Sequence, residues 1–147
     1  MQFKITRNEI IEIAKSYIGL PFVHQGRSKD TGVDCVGLLV CLGQEMGYPD
    51  LKDAEAYRRI PSANVIRSIL GQNCDEIPVE EAKEGDIYLM RLGGIKPRHA
   101  AILYYDDRYN GEPCLIHATK RGVRIEAKRA YPDHWFVGAY RVRGIIE

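Results

Sequence analysis

Residues 32–42 read GVDCVGLLVCL, a polar turn that leads directly into an apolar helix. Asp34 belongs to the residue types that cap helix N-termini, so we expect a helix that begins at or near Cys35 and ends at Gly47. A thiol at a helix start lies beside unpaired N–H groups and the positive end of the helix dipole, which favour the thiolate. Cys35 is therefore predicted to be a nucleophile; the alternative is a small buried hydrophobic residue.

Two further helices are predicted on either side of this one. Thr6 and Glu9 have capping-box spacing ahead of an apolar pattern of helical period, which predicts a helix over 7–18. Ser62 is expected to cap a third helix that continues to Asn73.

The second half of the chain changes to the pattern of short strands. Five segments are separated by Gly, Asn, Asp and Pro turns, at 86–92, 98–106, 113–118, 122–127 and 137–143. Helices followed by a strand meander predict an α+β fold, with N-terminal helices packed on an antiparallel β-sheet. A length of 147 residues predicts a single domain over 1–147.

Two histidines occur where they would meet near such a thiol. His99 begins one predicted strand and His117 ends the next, so a hairpin between these strands brings both residues to the same end. A histidine that accepts the thiol proton, oriented by a second polar group, is the usual arrangement for nucleophilic catalysis. Each histidine alone is also compatible with a partly exposed packing residue.

Composition argues against several other classes of protein. The 21 Lys and Arg residues balance 20 Asp and Glu residues, so no basic field for nucleic acid is predicted. No stretch is long enough to cross a membrane, and residues 1–15 do not resemble a signal peptide, so we expect synthesis in a cytoplasm without membrane insertion.

The four cysteines are predicted to be free thiols, since their spacing matches neither a zinc knuckle nor a disulfide framework. Cys35, His99 and His117 have the side-chain types of zinc ligands, but no CxxC or HxxxH spacing accompanies them. We therefore expect no metal and no other cofactor.

Three motifs together resemble the NlpC/P60 family of cell-wall hydrolases. They are DCVGLL at 34–39, His99 followed by an apolar strand, and IHA at 116–118. The segment EGDI at 84–87 matches the turn into the first strand of that family. The resemblance extends from Ile10 to the last predicted strand.

This resemblance implies a papain-like fold with the nucleophile at a helix N-terminus. It implies that Cys35 is the nucleophile, His99 the base and His117 the orienting residue. The implied activity is that of a cysteine peptidase that cleaves stem peptides of bacterial peptidoglycan, at the bond between D-glutamate and diaminopimelate.

A narrower resemblance concerns the loop before the nucleophile. The segments PFVHQG at 21–26 and GVDC at 32–35 resemble the phage-tail and gene-transfer-agent branch of the family. This implies a virion protein that is made in the host cytoplasm without a signal peptide and carried at the tail tip, with tail-tip or hub proteins as partners. The alternatives are a structural tail-tip adaptor with little or no hydrolase activity, and a thiol amidase or acyltransferase on another substrate.

The sequence also departs from the family pattern near the nucleophile. Phe22 stands where many members have a tyrosine, whose hydroxyl is often placed near the oxyanion. His24 or Gln25 is expected to supply that donor instead, together with the backbone N–H of Cys35. Asp34 is a further candidate for oxyanion or substrate binding.

Seven basic residues fall in loops that flank the predicted site. They suit a substrate that carries several carboxylates, although such residues also commonly form a solvated face. They are Arg27, Lys29, Arg91, Lys96, Arg98, Lys120 and Arg121.

Overall fold

Three helices and ten strands build the fold over the residues that the structure describes. The computed structural model describes residues 3–48, 51–54, 57, 61–93 and 97–147. The helices are α1 (Arg7–Lys15), α2 (Cys35–Glu45) and α3 (Ala63–Leu70). The strands are β1 (Ile5–Thr6), β2 (Arg27–Ser28), β3 (Gly32–Val33), β4 (Cys74–Ile77), β5 (Ile87–Met90), β6 (His99–Tyr105), β7 (Pro113–Thr119), β8 (Gly122–Ala127), β9 (Phe136–Val142) and β10 (Ile145–Ile146).

Six strands form one sheet in the order β4-β9-β5-β6-β7-β8, and every neighbouring pair in it is antiparallel. The other four form two short pairs, with β1 parallel to β10 and β2 antiparallel to β3. Helix α2 packs against both α1 and α3 and against strands β6 and β7. The predicted α+β arrangement is therefore confirmed. Over the described residues, no helix has the length and apolar character that a membrane crossing requires.

The side chains of β6 alternate between the two faces of the sheet, as strand geometry requires. Ala100 and Ile102 belong to the larger core beneath the helices, whereas Ala101 and Leu103 belong to a second core on the opposite face. Tyr131, in the connection between β8 and β9, packs against that second core. Both faces of the sheet are therefore covered.

The predicted N-caps are confirmed at all three helices. The side chains of Thr6, Asp34 and Ser62 each accept a hydrogen bond from the third backbone N–H of the helix that follows. Each helix is shorter than predicted by two or three residues, because turns replace the regular helical hydrogen bonds before the stop signal is reached.

Strand β4 is an element that the sequence pattern did not predict. It pairs with β9 at the edge of the sheet, and its residues Asp75 and Glu76 are exposed. Two adjacent acidic residues interrupt the alternation of apolar and polar residues that identifies a strand. Strand β4 is therefore defined by its pairing with β9 and not by its own sequence pattern.

Asp86, in the EGDI segment, joins the start of α1 to the sheet. Its buried carboxylate accepts hydrogen bonds from Arg7 Nη1 at 2.9 Å and from Arg141 Nη2 at 2.8 Å. These ion pairs tie residues from the beginning, middle and end of the chain together.

Candidate active site

Cys35 is the first residue of α2 and is only 5% exposed. The helix start is held against the preceding loop because Gly37 has no side chain: a Cβ atom there would lie 2.0 Å from the carbonyl oxygen of Gly26. The loop and the nucleophile candidate therefore form one closely packed unit.

The Asp34 carboxylate organises this unit. Its Oδ1 accepts hydrogen bonds from the Gly37 N–H at 2.8 Å and from Arg27 Nη1 at 3.3 Å. Its Oδ2 accepts from the Gln25 N–H at 2.8 Å and from the Tyr57 hydroxyl at 2.6 Å. Asp34 is 1% exposed, and both of its carboxylate oxygens are engaged in these hydrogen bonds. The structure thus places Asp34 as a support for the loop rather than facing a substrate.

The environment of the thiol keeps it protonated in the free site. Burial, followed by the nearby Asp34 carboxylate, raises the pKa of Cys35 to about 12, while backbone groups of Val36 and Ala100 act in the opposite direction. The expectation that the helix start alone produces a thiolate is wrong for this resting state, because burial outweighs the helix N-terminus. A base must therefore remove the proton during the reaction.

His99, which lines the same cleft as Cys35, is the candidate base. It lies at the start of β6 and is 4% exposed, and burial and the neighbouring His117 lower the pKa of His99 to about 3. The imidazole is therefore neutral at neutral pH and available to accept a proton.

His117 contacts His99 directly, as the predicted hairpin requires. Strands β6 and β7 pair antiparallel, with Ile102 opposite Ile116, so both histidines lie at the same end of the hairpin. His99 Nε2 lies 2.8 Å from His117 Nδ1. This contact engages Nε2 of His99, so Nδ1 is the ring nitrogen that does not face His117.

Glu126 and Tyr131 extend this arrangement, and the sequence reasoning missed both. His117 Nε2 lies 2.6 Å from Glu126 Oε1, and the Tyr131 hydroxyl donates to the same oxygen at 2.7 Å. A signal for Glu126 was present in the predicted strands: β7 and β8 pair with His117 opposite Arg124, which puts residue 126 on the face of His117. Tyr131 had no such signal, because it lies in an irregular connection.

A cleft of about 620 Å³ opens over Cys35 and His99. Its walls combine apolar and aromatic residues with two cations. The other lining residues are Phe22, Pro61, Leu92, Gly93, Arg98, Ala118, Thr119, Lys120, Tyr131 and Trp135. A substrate in this cleft would therefore lie against both the thiol and the imidazole.

The sequence profile of the NlpC/P60 family matches residues 19–141, which include every residue of this arrangement. The chain belongs to the NlpC/P60 family. No curated protein sequence matches it significantly.

Solved NlpC/P60 structures share the fold. The NlpC/p60 domain of the peptidoglycan hydrolase SagA matches with a TM-score of 0.65 at 20% identity, covering 94% of this chain and 100% of that one. A lipoprotein-like NLP/P60 protein from Staphylococcus aureus matches with a TM-score of 0.60 at 23% identity, over 92% of this chain and 41% of that one. NlpC2 from Trichomonas vaginalis matches with a TM-score of 0.59 at 19% identity, over 92% and 45% of the two chains. The predicted papain-like NlpC/P60 fold is confirmed.

The two remaining oxyanion candidates belong to the loop before the nucleophile in this NlpC/P60 domain. His24 is exposed, with its ring edge-on to Tyr57 at a centroid distance of 5.7 Å. Gln25 is also exposed, and its side-chain amide donates to the Tyr57 carbonyl at 2.8 Å. Neither is among the described residues that line the cleft. The backbone N–H of Cys35 occupies the first helical position, where no intrahelical acceptor exists.

The predicted basic residues do not all face the cleft. Arg98 and Lys120 line the cleft, whereas Arg27 pairs with Asp53 and Lys29 pairs with Glu45. Arg91 is partly buried and Arg121 exposed, and neither is among the described lining residues. Lys96 lies outside the described residues.

The described residues contain no group of three or more His, Cys, Asp and Glu side chains arranged to hold a metal ion. In particular, the two imidazole nitrogens that face each other at 2.8 Å are engaged in a mutual hydrogen bond.

Proposed function

We propose that this NlpC/P60 domain is a cysteine endopeptidase that cleaves the stem peptides of bacterial peptidoglycan. The observation that carries the proposal is the line of hydrogen bonds from Glu126 through His117 to His99, since His99 lines an open cleft together with Cys35. A thiol, a neutral imidazole and an orienting group are the parts that covalent hydrolysis of an amide needs. The NlpC/P60 family is one of cysteine hydrolases of peptidoglycan, which favours that substrate.

The proposed reaction begins with proton transfer from the Cys35 thiol to His99 Nδ1 as the sulfur attacks the carbonyl carbon of the amide. The carbonyl electrons move to the oxygen, and the backbone N–H of Cys35 is oriented by the helix start to bind that oxyanion. Collapse of the intermediate breaks the C–N bond, and the leaving amine takes the proton from His99. A water molecule, deprotonated by His99, then hydrolyses the thioester and restores the thiol.

The charge of the cleft favours a substrate that carries carboxylates. Arg98 and Lys120 both line it, and peptidoglycan stems contain free carboxyl groups. We propose that the bond cleaved joins D-glutamate to diaminopimelate.

Digestion of purified peptidoglycan followed by mass spectrometry of the soluble fragments tests the activity and the bond together. The expected products carry a new N-terminus on diaminopimelate, and the Cys35→Ala protein releases none. Fragments cut at another amide would contradict the proposed bond but would still support the peptidase activity. If no peptidoglycan tested yields fragments, the result would contradict the peptidase and favour the tail-tip adaptor. Acyl transfer to an added amine would instead favour the acyltransferase.

We also propose that the enzyme is carried at the tip of a phage or phage-like tail, where it opens the cell wall during DNA delivery. This proposal is supported by the resemblance of residues 21–26 and 32–35 to the phage-tail and gene-transfer-agent branch of the family. Attachment to a particle would supply the local concentration that a polymer-degrading enzyme needs. Mass spectrometry and immuno-electron microscopy of purified particles are expected to find the chain at the distal end of the tail. Its presence in lysates but not in particles would contradict the tail-tip role and leave the peptidase proposal untouched.

A further inference from the structure

Glu126 and Tyr131, both partly exposed, extend the hydrogen bonding of the two buried histidines. His117 is fully buried, and both of its ring nitrogens have partners: Nδ1 faces His99 and Nε2 faces Glu126. Tyr131 both donates its hydroxyl to Glu126 Oε1 and packs its ring edge-on against His117, at a centroid distance of 5.7 Å.

The directions of these hydrogen bonds follow from the chemistry of the last acceptor. Hydrogen bonds from Tyr131 and His117 outweigh the effect of burial and hold the pKa of Glu126 below its usual value, so the carboxylate is ionised and only accepts. His117 must therefore carry its proton on Nε2, which leaves a lone pair on Nδ1. That lone pair accepts from His99 Nε2–H, so the lone pair of His99 is left on Nδ1. The opposite tautomer of His99 loses the hydrogen bond between the rings, and the opposite tautomer of His117 loses the hydrogen bond to Glu126.

We propose that Glu126 is a positioning residue that sets the tautomer of both histidines, and that Tyr131 holds Glu126 in place for this purpose. The catalytic part of the inference rests on the proposed peptidase function. The Nε2–H tautomer of His99 is the form whose Nδ1 accepts a proton from Cys35, so the carboxylate acts on the nucleophile through two rings.

The same geometry also supports the charged state formed during the reaction. When His99 takes the thiol proton, it becomes an imidazolium in a site where it is 4% exposed. Water stabilises such a charge poorly there, and the Glu126 carboxylate at the end of the hydrogen-bonded line compensates for it. The carboxylate therefore contributes more to the transition state than to substrate binding.

Nitrogen-15 NMR of the histidine rings tests the tautomers in the free protein, without substrate. His99 and His117 are both expected in the Nε2–H form at neutral pH, whereas the exposed His24 and His134 serve as internal references. Glu126→Leu removes the acceptor with similar volume and is expected to mix the tautomers of His117 and His99. Glu126→Gln retains an acceptor oxygen and is expected to keep most of the Nε2–H form. Unchanged ring signals in Glu126→Leu, or an Nδ1–H form in the unmodified protein, would overturn the inference even if the protein hydrolysed no peptidoglycan.

Kinetics test the catalytic part with matched controls. Glu126→Leu is expected to lower kcat about 100-fold and Glu126→Gln about 10-fold, each with KM within about twofold of the unmodified protein. Tyr131→Phe keeps the ring and loses the hydroxyl, and its effect is expected to be smaller than additive when combined with Glu126→Leu. Glu112 is an exposed residue that pairs with Arg129. Its variants Glu112→Leu and Glu112→Gln are the controls and should leave kcat unchanged. A rise in KM without a fall in kcat, or equal losses in the Glu112 variants, would overturn the positioning role.

Discussion

His99 Nε2 and His117 Nδ1 lie 2.8 Å apart, although 18 positions separate the two residues in the chain. The distance follows from the antiparallel pairing of β6 with β7, which closes through the turn at 106–112. Since both rings are buried, neither hydrogen-bonding nitrogen can exchange its partner for water without opening the sheet. The pair is thus a fixed part of the fold, and the proposed mechanism uses it to activate Cys35.

Removal of each member of the site is expected to have a graded effect. Cys35→Ala and His99→Ala should abolish hydrolysis, whereas His117→Ala should retain a residual rate about tenfold or more above that of His99→Ala. The reason is that an orienting group contributes less than the base that it orients. Release of peptide fragments measures activity, and circular dichroism checks the fold. Cys114→Ala, a buried cysteine outside the cleft lining, is the control that should stay active. Full activity in His99→Ala would contradict the mechanism.

Alkylation of Cys35 by iodoacetamide is expected to speed up with pH beyond pH 9. The pKa of the thiol is raised to about 12 by burial and by Asp34, so the thiolate fraction keeps growing through the alkaline range. Mass spectrometry of the alkylated peptide at a series of pH values gives the rate. A rate that levels off below pH 7 would instead indicate a preformed thiolate and imidazolium pair.

Stability is expected to fall with acid through His99. Its pKa is lowered to about 3 in the folded protein by burial and by His117, against 6.5 when unperturbed, so the unfolded chain binds more protons between these values. Stability is therefore complete above pH 6.5 and is lost as the pH falls towards 3, with a loss of about 2 kcal/mol between pH 7 and pH 5. Urea unfolding at the two pH values measures it.

His99→Gln removes the titrating group and should reduce that pH dependence. His134→Gln, at an exposed histidine, is the matched control and should leave it unchanged. The same acid sensitivity in His99→Gln as in the unmodified protein would show that other groups cause it.

The buried ion pairs of Asp86 are expected to matter far more for stability than an exposed pair. Asp86→Ala leaves Arg7 and Arg141 without their shared partner and should lower the free energy of unfolding by about 3 kcal/mol. Asp75→Ala, which removes an exposed pair with Arg143, should change it by less than about 1 kcal/mol. Denaturant unfolding compares the two variants, and equal losses would contradict the role assigned to Asp86.

The cations of the cleft are expected to act on substrate binding. Arg98→Gln and Lys120→Gln should raise KM severalfold and leave kcat nearly unchanged, because each removes a favourable charge contact with a carboxylate. The effect should shrink at high salt. Arg121→Gln, next in the chain to Lys120 but not among the described lining residues, is the control. An unchanged KM in both variants would argue against recognition of carboxylates by these residues.

The sequence by itself determined the local features of this protein. Thr6, Asp34 and Ser62 cap their helices as predicted, since capping depends on a side chain and a backbone N–H three positions away. The hairpin that joins His99 to His117 was likewise predictable, because strand period and turn residues are encoded within about twenty consecutive positions.

Only the tertiary structure decided the features that depend on distant residues. Strand β4 exists because β9, more than fifty positions later, pairs with it. Burial by surrounding elements, together with the Asp34 carboxylate, reversed the expected direction of the Cys35 pKa shift, because the cost of desolvating a thiolate exceeds the stabilisation from a helix N-terminus. Tyr131 reaches Glu126 from an irregular connection that no periodic pattern describes. Local hydrogen bonds can be read along a chain, whereas desolvation and long-range contacts depend on which other residues the fold brings to the same place.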